Sequence, residues 1–104
     1  MKRIINGRRY DTDTAQLVAE FHNTPDRGDH HFYREELYRT KGGAWFLAGE
    51  GGPASKYRRT VGQNQWSSGE GLGPLTDGEA REWLEEHAKT AELEKYFGSS
   101  IVDA

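Results

Sequence analysis

The sequence predicts an α+β fold: antiparallel β-hairpins in its N-terminal and central parts, forming a meander, followed by two C-terminal helices. Three observations predict it. The pair Asn6-Gly7 lies between two extended runs, a longer hairpin pattern turns at residues 41–43, and helical apolar spacing begins after Thr76. We expect a single domain over residues 1–104, with a short disordered tail at about residues 99–104.

The composition excludes several classes of protein. Aromatic residues make up 12% of the chain, which argues against disorder, because disordered segments are poor in them. There is no cysteine, so disulfide scaffolds, cysteine-ligated metals and thiol nucleophiles are excluded. No apolar run approaches the roughly 20 residues that a membrane-spanning helix needs. We therefore expect a cytoplasmic protein without contact with a membrane.

The segment before the first long loop fits two structures. An Asp-x-x-Gln spacing at residues 13–16 suits a helical capping box, which would make residues 15–22 a helix. The apolar residues from Leu17 to Phe21 instead alternate, as they do in a strand. The alternation favours a turn at residues 11–14 and then a strand over residues 16–22.

The central hairpin carries large apolar groups on both of its faces. Both turn registers that its glycines suggest place Tyr38, Trp45 and Leu47 on one face, and Leu37 and Phe46 on the other. The C-terminal helices can cover one face only. The other face needs another strand, a loop or a partner to cover it. We predict that Leu37 and Phe46 form this spare apolar face, which a protein partner or a second copy in a homodimer would meet.

The C-terminal third changes from loop to helix. Residues 61–74 are rich in glycine, serine and asparagine and predict an irregular loop held by Trp66. Thr76 and Glu79 then form a capping box. Apolar residues follow at helical spacing, namely Ala80, Trp83, Leu84, His87 and Ala88. A second short helix is predicted from a cap at Thr90 to a glycine terminator at position 98.

Charge is distributed unevenly along the chain. Residues 1–62 hold 11 Lys/Arg and 8 Asp/Glu, a balance of +3, whereas residues 63–104 hold 3 and 9, a balance of −6. Glu79, Glu82 and Glu86 lie on one side of the first predicted helix. Such an acidic face suits a basic partner, such as a nucleic-acid-binding protein, although solvated helices carry similar glutamates.

No catalytic constellation emerges from the residues. The glycine cluster Gly49–Lys56 lacks the Walker A spacing, because Pro53-Ala54-Ser55 separate its last glycine from the lysine. Glu82 and Glu86 form a like-charge pair on a solvated face, without the environment that tunes a catalytic carboxylate. We predict no catalytic residue and no cofactor.

Two further chemistries are weaker alternatives. Asp29, His30 and His31 combine carboxylate and imidazole ligands, but adjacent histidines of a strand point to opposite faces, so a solvated loop is favoured over a metal site. A basic segment interleaves cations with an aromatic ring, as nucleic-acid contact requires. It consists of Lys56, Tyr57, Arg58 and Arg59. The pI of about 5.8 argues against a committed nucleic-acid binder.

Four segments together resemble a family of small uncharacterised proteins found in bacterial genomes, phages and other mobile elements. They are INGRRYDTDTA, LYRTKGGAWFLAGEGGPASKY, PLTDGEAREWLEEH and LEKYFG, of which the second is the most specific. The resemblance implies a one-domain α+β fold and a cytoplasmic location, and it brings no catalytic residues. By analogy, small proteins of mobile elements act by binding host machinery, and anti-CRISPR proteins are one such class.

These observations predict a non-enzymatic binding protein that inhibits host machinery through protein–protein contact, as an anti-CRISPR protein does to a CRISPR effector. The alternative is a small regulatory module that binds nucleic acid through residues 56–59. A metal-dependent enzyme built on residues 29–31 is the third hypothesis. The chain would act as a monomer or a homodimer.

Overall fold

A computed structural model describes residues 1–104. It confirms the predicted α+β class. The strands are β1 Lys2–Ile5, β2 Arg8–Asp11, β3 Gln16–His22, β4 Tyr33–Arg39, β5 Trp45–Gly51, β6 Arg59–Gly62, β7 Gln65–Ser67 and β8 Gly69–Leu75. The helices are α1 Asp77–Glu86 and α2 Thr90–Phe97. A 3₁₀ turn at Gly98–Ser100 follows and extends into the segment expected to be a disordered tail.

A four-stranded antiparallel sheet forms the centre of the molecule, in the order β3-β4-β5-β8. Its first edge strand confirms the strand predicted over residues 16–22, so local alternation outweighs the helix signal there. The register of β3 against β4 shifts between Leu17 and Ala19. Such a bulge makes an edge strand a poorer template for pairing with another chain.

The predicted facing of the central hairpin is wrong. A loop over residues 40–44 joins β4 to β5 and pairs Leu37 with Leu47 and Tyr38 with Phe46. Both turn registers that the glycines suggest are displaced from this pairing by one residue. Because side chains alternate along a strand, a slip of one residue exchanges the two faces.

Both faces of the sheet are covered. The two helices pack on one face, where Leu37, Trp45 and Leu84 belong to the same buried cluster. The hairpin of β1 and β2 packs on the other face, where the Tyr10 ring meets the Phe46 ring edge-on with centroids 5.6 Å apart. The sheet is therefore the middle of three layers, and burying each such large side chain contributes roughly 1.5–3 kcal/mol.

The N-terminal hairpin has the predicted turn. Asn6 and Gly7 both have positive φ, at 52° and 76°, as a type I′ turn requires. This hairpin is also tied to the far edge of the sheet, because Arg3 Nη1 donates a hydrogen bond to the Leu72 carbonyl at 2.7 Å.

The predicted loop over residues 61–74 is wrong. Strands β6 and β7 form a separate two-stranded hairpin, and β8 pairs with β5 along its whole length. One glycine of β8 has a packing role that composition hides. At Gly69, a Cβ atom would overlap the carbonyl oxygen of Tyr57, so only glycine admits the crossing chain.

The helices follow the sequence closely, with one exception. Thr76 Oγ1 accepts a hydrogen bond from the Glu79 N–H at 3.1 Å, and Glu79 Oε1 accepts one from the Thr76 N–H at 2.8 Å, which confirms the capping box. The second helix is capped by Lys89, without a side-chain hydrogen bond, and Thr90 is its first residue. Neither helix is long and apolar enough to span a membrane.

Candidate functional site

The most unusual side chain in the core is Glu35, in the middle of β4. It is 1% exposed and lies on the helix-covered face of the sheet. Three donors meet its carboxylate: Trp83 Nε1 at 3.1 Å, Tyr57 Oη at 2.5 Å and Lys56 Nζ at 2.8 Å. We call these four residues the Glu35 cluster. It joins the sheet, helix α1 and the loop between β5 and β6.

The electrostatics of the Glu35 cluster favour a charged carboxylate and a neutral phenol. Burial opposes ionisation of Glu35, but hydrogen bonds from Lys56, Tyr57 and Trp83 outweigh it, so the pKa of Glu35 lies below its ordinary value. Burial, with the hydrogen bond to Glu35, raises the pKa of Tyr57 far above its ordinary value. The Lys56 ammonium also lies over the Tyr33 ring, 4.7 Å from its centroid.

Two glycines in β5 let the loop that follows this strand return onto the sheet. A Cβ atom at Gly49 would overlap the Tyr57 ring, and one at Gly51 would overlap the Ser55 hydroxyl. Ser55 is itself buried: its hydroxyl donates to the Gly52 carbonyl at 2.8 Å and accepts from the Tyr57 N–H at 3.2 Å. The glycine cluster therefore serves close packing of the chain.

The Glu35 cluster acts as a structural tie. Its carboxylate is already bonded by three donors, and the residue is 1% exposed. A general acid or base must reach a substrate, and this group is closed off from one. The sequence reasoning missed Glu35, although a single carboxylate at an inward position between Tyr33 and Leu37 was a usable signal.

His87 lies beside this cluster at the end of α1. Its ring stacks on Phe21 with centroids 3.9 Å apart and meets the Trp83 ring edge-on at 4.6 Å. Burial in this aromatic contact lowers the pKa of His87 below its ordinary value. The apolar stripe predicted for α1 is confirmed for Ala80, Trp83 and Leu84, which are buried. It is wrong for Ala88, which lies beyond the end of the helix, has a φ of 54° and is exposed.

The predicted acidic face is solvent-exposed, but its three members differ. Glu79 completes the capping box, so its carboxylate has a structural role. Glu82 and Glu86 are exposed, lie one turn apart and have no cation within 4.0 Å. Glu82 and Glu86 are therefore the free carboxylates of this face.

The predicted apolar face does not exist. Leu37 and Phe46 are both 0% exposed, and they lie on opposite sides of the sheet, Leu37 under the helices and Phe46 under the N-terminal hairpin. The reason is the register of the hairpin, which sequence reasoning displaced by one residue. Neither side chain is available to a partner or to a second copy.

The predicted basic segment is divided by the fold. Lys56 and Tyr57 are engaged by Glu35. Arg58 and Arg59 stay exposed and have no carboxylate within 4.0 Å. The Arg58 guanidinium instead lies over the Trp66 ring, 5.2 Å from its centroid, so the fold adds an aromatic side chain that the sequence reasoning had assigned to a loop.

The residues proposed as metal ligands converge only in part. Asp29 Oδ1 accepts a hydrogen bond from the His31 N–H at 2.8 Å and lies 3.3 Å from His31 Nδ1. The His30 side chain makes no hydrogen bond, and no group of three His, Asp or Glu side chains is placed to hold a metal ion. The geometry favours an Asp-capped turn over a metal centre.

Comparisons with protein-family models, with curated proteins and with solved structures found no match to this chain.

Proposed function

We propose that this chain is a non-enzymatic binding protein that uses the exposed acidic face of α1 against a basic surface of a protein partner. The observation that carries the proposal is the pair Glu82 and Glu86, which are exposed and unpaired on a rigid helix. When such carboxylates bind Lys or Arg side chains of a partner, the free-energy cost is small, because no ion pair within the chain has to be broken.

The state of the buried carboxylate supports binding over catalysis. Glu35 is the one fully buried carboxylate, and its three hydrogen bonds hold the layers of the fold together. Because the one fully buried carboxylate is closed off from a substrate, we favour recognition at the surface over catalysis. The rigid attachment of α1 to the sheet through Trp83 also presets the acidic face, which reduces the entropy lost on binding.

A protein that itself binds nucleic acid is the class of partner we favour. Such proteins carry clustered Lys and Arg side chains, which complement an acidic helix face. The resemblance to small proteins of phages and mobile elements adds a setting in which inhibition of a host complex is a common task. An anti-CRISPR type of inhibitor, acting on a CRISPR effector by contact, is the specific form of this proposal.

The test uses two variants that change net charge equally. Glu82→Lys/Glu86→Lys reverses the proposed face and leaves the Glu79 cap intact. Asp13→Lys/Glu20→Lys is the matched control, because both residues are exposed and their side chains make no hydrogen bond or ion pair. Each tagged protein is incubated with lysate of the source cells, and retained proteins are quantified by mass spectrometry.

We expect the wild type and the control to retain the same basic protein, and the α1 variant to lose it by about tenfold or more. Circular dichroism of each variant checks that the fold is kept. Equal retention of the same proteins by all three forms would refute the acidic face as the binding surface.

A further inference from the structure

The hairpin of β6 and β7 is the most exposed aromatic feature of the molecule. Its two strands pair only with each other, and Asn64, with a φ of 55°, closes the turn between them. We call residues 56–69 the arm. Trp66 in the arm is 45% exposed, whereas Trp45 and Trp83 in the core are 2% and 7% exposed. The arm thus presents the one indole that a ligand can reach.

An arginine prearranges that indole. The Arg58 guanidinium lies 5.2 Å from the centroid of the Trp66 ring, so the two groups form a cation–π pair on one side of the arm. Arg59 follows directly and pairs with Ser67 on the opposite strand. Because neighbouring positions of a strand face opposite sides, Arg59 lies on the other face of the hairpin from Trp66, but both arginines line one groove. The Trp66 ring offers a stacking surface, and the two guanidinium groups offer contacts to phosphate.

The charge of the arm is of one sign. Residues 56–69 contain three cations, Lys56, Arg58 and Arg59, and no carboxylate. Lys56 is neutralised by Glu35, and this leaves the two arginines without an ion pair. A groove of about 620 Å³ runs beside them, lined also by Glu50 and Glu70. Arg34 pairs with Glu50 at 3.1 Å, so Glu70 is the remaining free carboxylate of this groove.

We infer that the arm binds single-stranded nucleic acid, with an unpaired base stacked on Trp66 and the backbone phosphates held by Arg58 and Arg59. A single strand is favoured over a duplex, because only an unstacked base can lie against the indole. The inference is independent of the acidic face of α1, which uses other residues. Because the chain has a net charge of −3, binding is expected at low ionic strength and weakens steeply with salt.

The test measures fluorescence anisotropy of a labelled single-stranded oligonucleotide of mixed sequence. Wild type is compared with Trp66→Ala, Trp66→Phe and Arg58→Gln/Arg59→Gln. The matched control is Arg8→Gln/Arg9→Gln, which removes the same charge from the exposed surface of β2. A duplex of the same sequence and polyglutamate serve as competitors.

We expect about tenfold or greater loss of affinity for Trp66→Ala, and recovery of most of it in Trp66→Phe, because phenylalanine also stacks on bases. Loss of Arg58 and Arg59 should reduce the slope of log K against log salt by about 1.4, at about 0.7 for each phosphate contact. The control variant should retain both affinity and slope.

Three results would overturn the inference. The first is no anisotropy change for the wild type at low salt. The second is a loss of affinity in the Arg8/Arg9 control equal to that in the Arg58/Arg59 variant, which would show that the effect depends only on net charge. The third is that polyglutamate displaces the labelled oligonucleotide as effectively as the unlabelled single strand does. That result would mean that the arm binds an acidic protein. Unfolding curves of each variant establish that it is folded.

Discussion

Replacing Glu35 with alanine removes the shared acceptor of the Glu35 cluster. The Trp83 N–H and the Tyr57 hydroxyl then lose their partner in or near the core, and each unsatisfied donor costs about 1–3 kcal/mol. Lys56 returns to water, because its side chain is 54% exposed, and it adds at most about 1 kcal/mol. The sum is about 2–7 kcal/mol. Its middle agrees with the loss of about 3–5 kcal/mol expected when a buried ion pair is broken.

Urea unfolding followed by tryptophan fluorescence measures this loss. Glu35→Gln should have a smaller effect than Glu35→Ala, because an amide oxygen still accepts one hydrogen bond. We expect its free energy of unfolding to fall by about 1–2 kcal/mol. Glu36→Ala is the matched control: Glu36 is the next residue, faces the other side of the sheet, and its closest cation, Arg34 Nη2, is 3.8 Å away. Its loss should stay below about 1 kcal/mol.

The comparison has a clear refuting outcome. If Glu35→Ala unfolds within about 0.5 kcal/mol of wild type, or no more easily than Glu36→Ala, the Glu35 cluster does not tie the layers together. The free energy of unfolding measured at acid pH gives a second test. Because the pKa of Glu35 is lowered, its ionised form stabilises the native state above pH 4.5, and this stability is lost as pH falls through the lowered pKa. Glu35→Gln should lack that loss.

Two further predictions concern the same region. In urea unfolding, Gly49→Ala should destabilise the fold by about 1–3 kcal/mol, because the added methyl group overlaps the Tyr57 ring. The control Gly73→Ala should be neutral or stabilising, because there is open space around Gly73. Equal effects of the two substitutions would contradict the packing role of Gly49. His87 has a lowered pKa, so its neutral form contributes stability above pH 6.5 that is lost as pH falls below it. His87→Phe should reduce the fall in the free energy of unfolding between about pH 7.5 and pH 5. A fall as large as that of the wild type would count against this prediction.

Local signals in the sequence predicted the local structure. The Asn6-Gly7 turn, the alternation over residues 16–22 and the Thr76–Glu79 capping box each depend on a few neighbouring residues, and all three are confirmed. In such cases the backbone preference and the side-chain hydrogen bonds are encoded within one turn or one strand.

Features that depend on tertiary contact were missed. The facing of Leu37 and Phe46 depends on the length of one loop, and a difference of one residue reverses it. Strand β8 looks like a loop by composition, because it holds three glycines, and the close approach of Tyr57 at Gly69 becomes visible only in the fold.

The candidate surfaces were predicted in part, for the same reason. The exposed carboxylates of α1 follow from helical periodicity. Two other features depend on how the loop after β5 returns to the sheet. Lys56 and Tyr57 are bound to Glu35 and so are not available at the surface, and Trp66 lies beside Arg58. A buried charge selects its partners across long sequence separations, which a linear pattern does not encode.

The most direct test of the proposed function is the affinity of the purified partner, once captured, for three forms of this chain. Binding of the wild type, Glu82→Lys/Glu86→Lys and Asp13→Lys/Glu20→Lys is measured calorimetrically at about 0.05 M and about 0.3 M salt. We predict tight, salt-weakened binding by the wild type and the control, and weak binding by the α1 variant at both concentrations. Equal affinity of the α1 variant and the wild type at both concentrations would contradict the proposal.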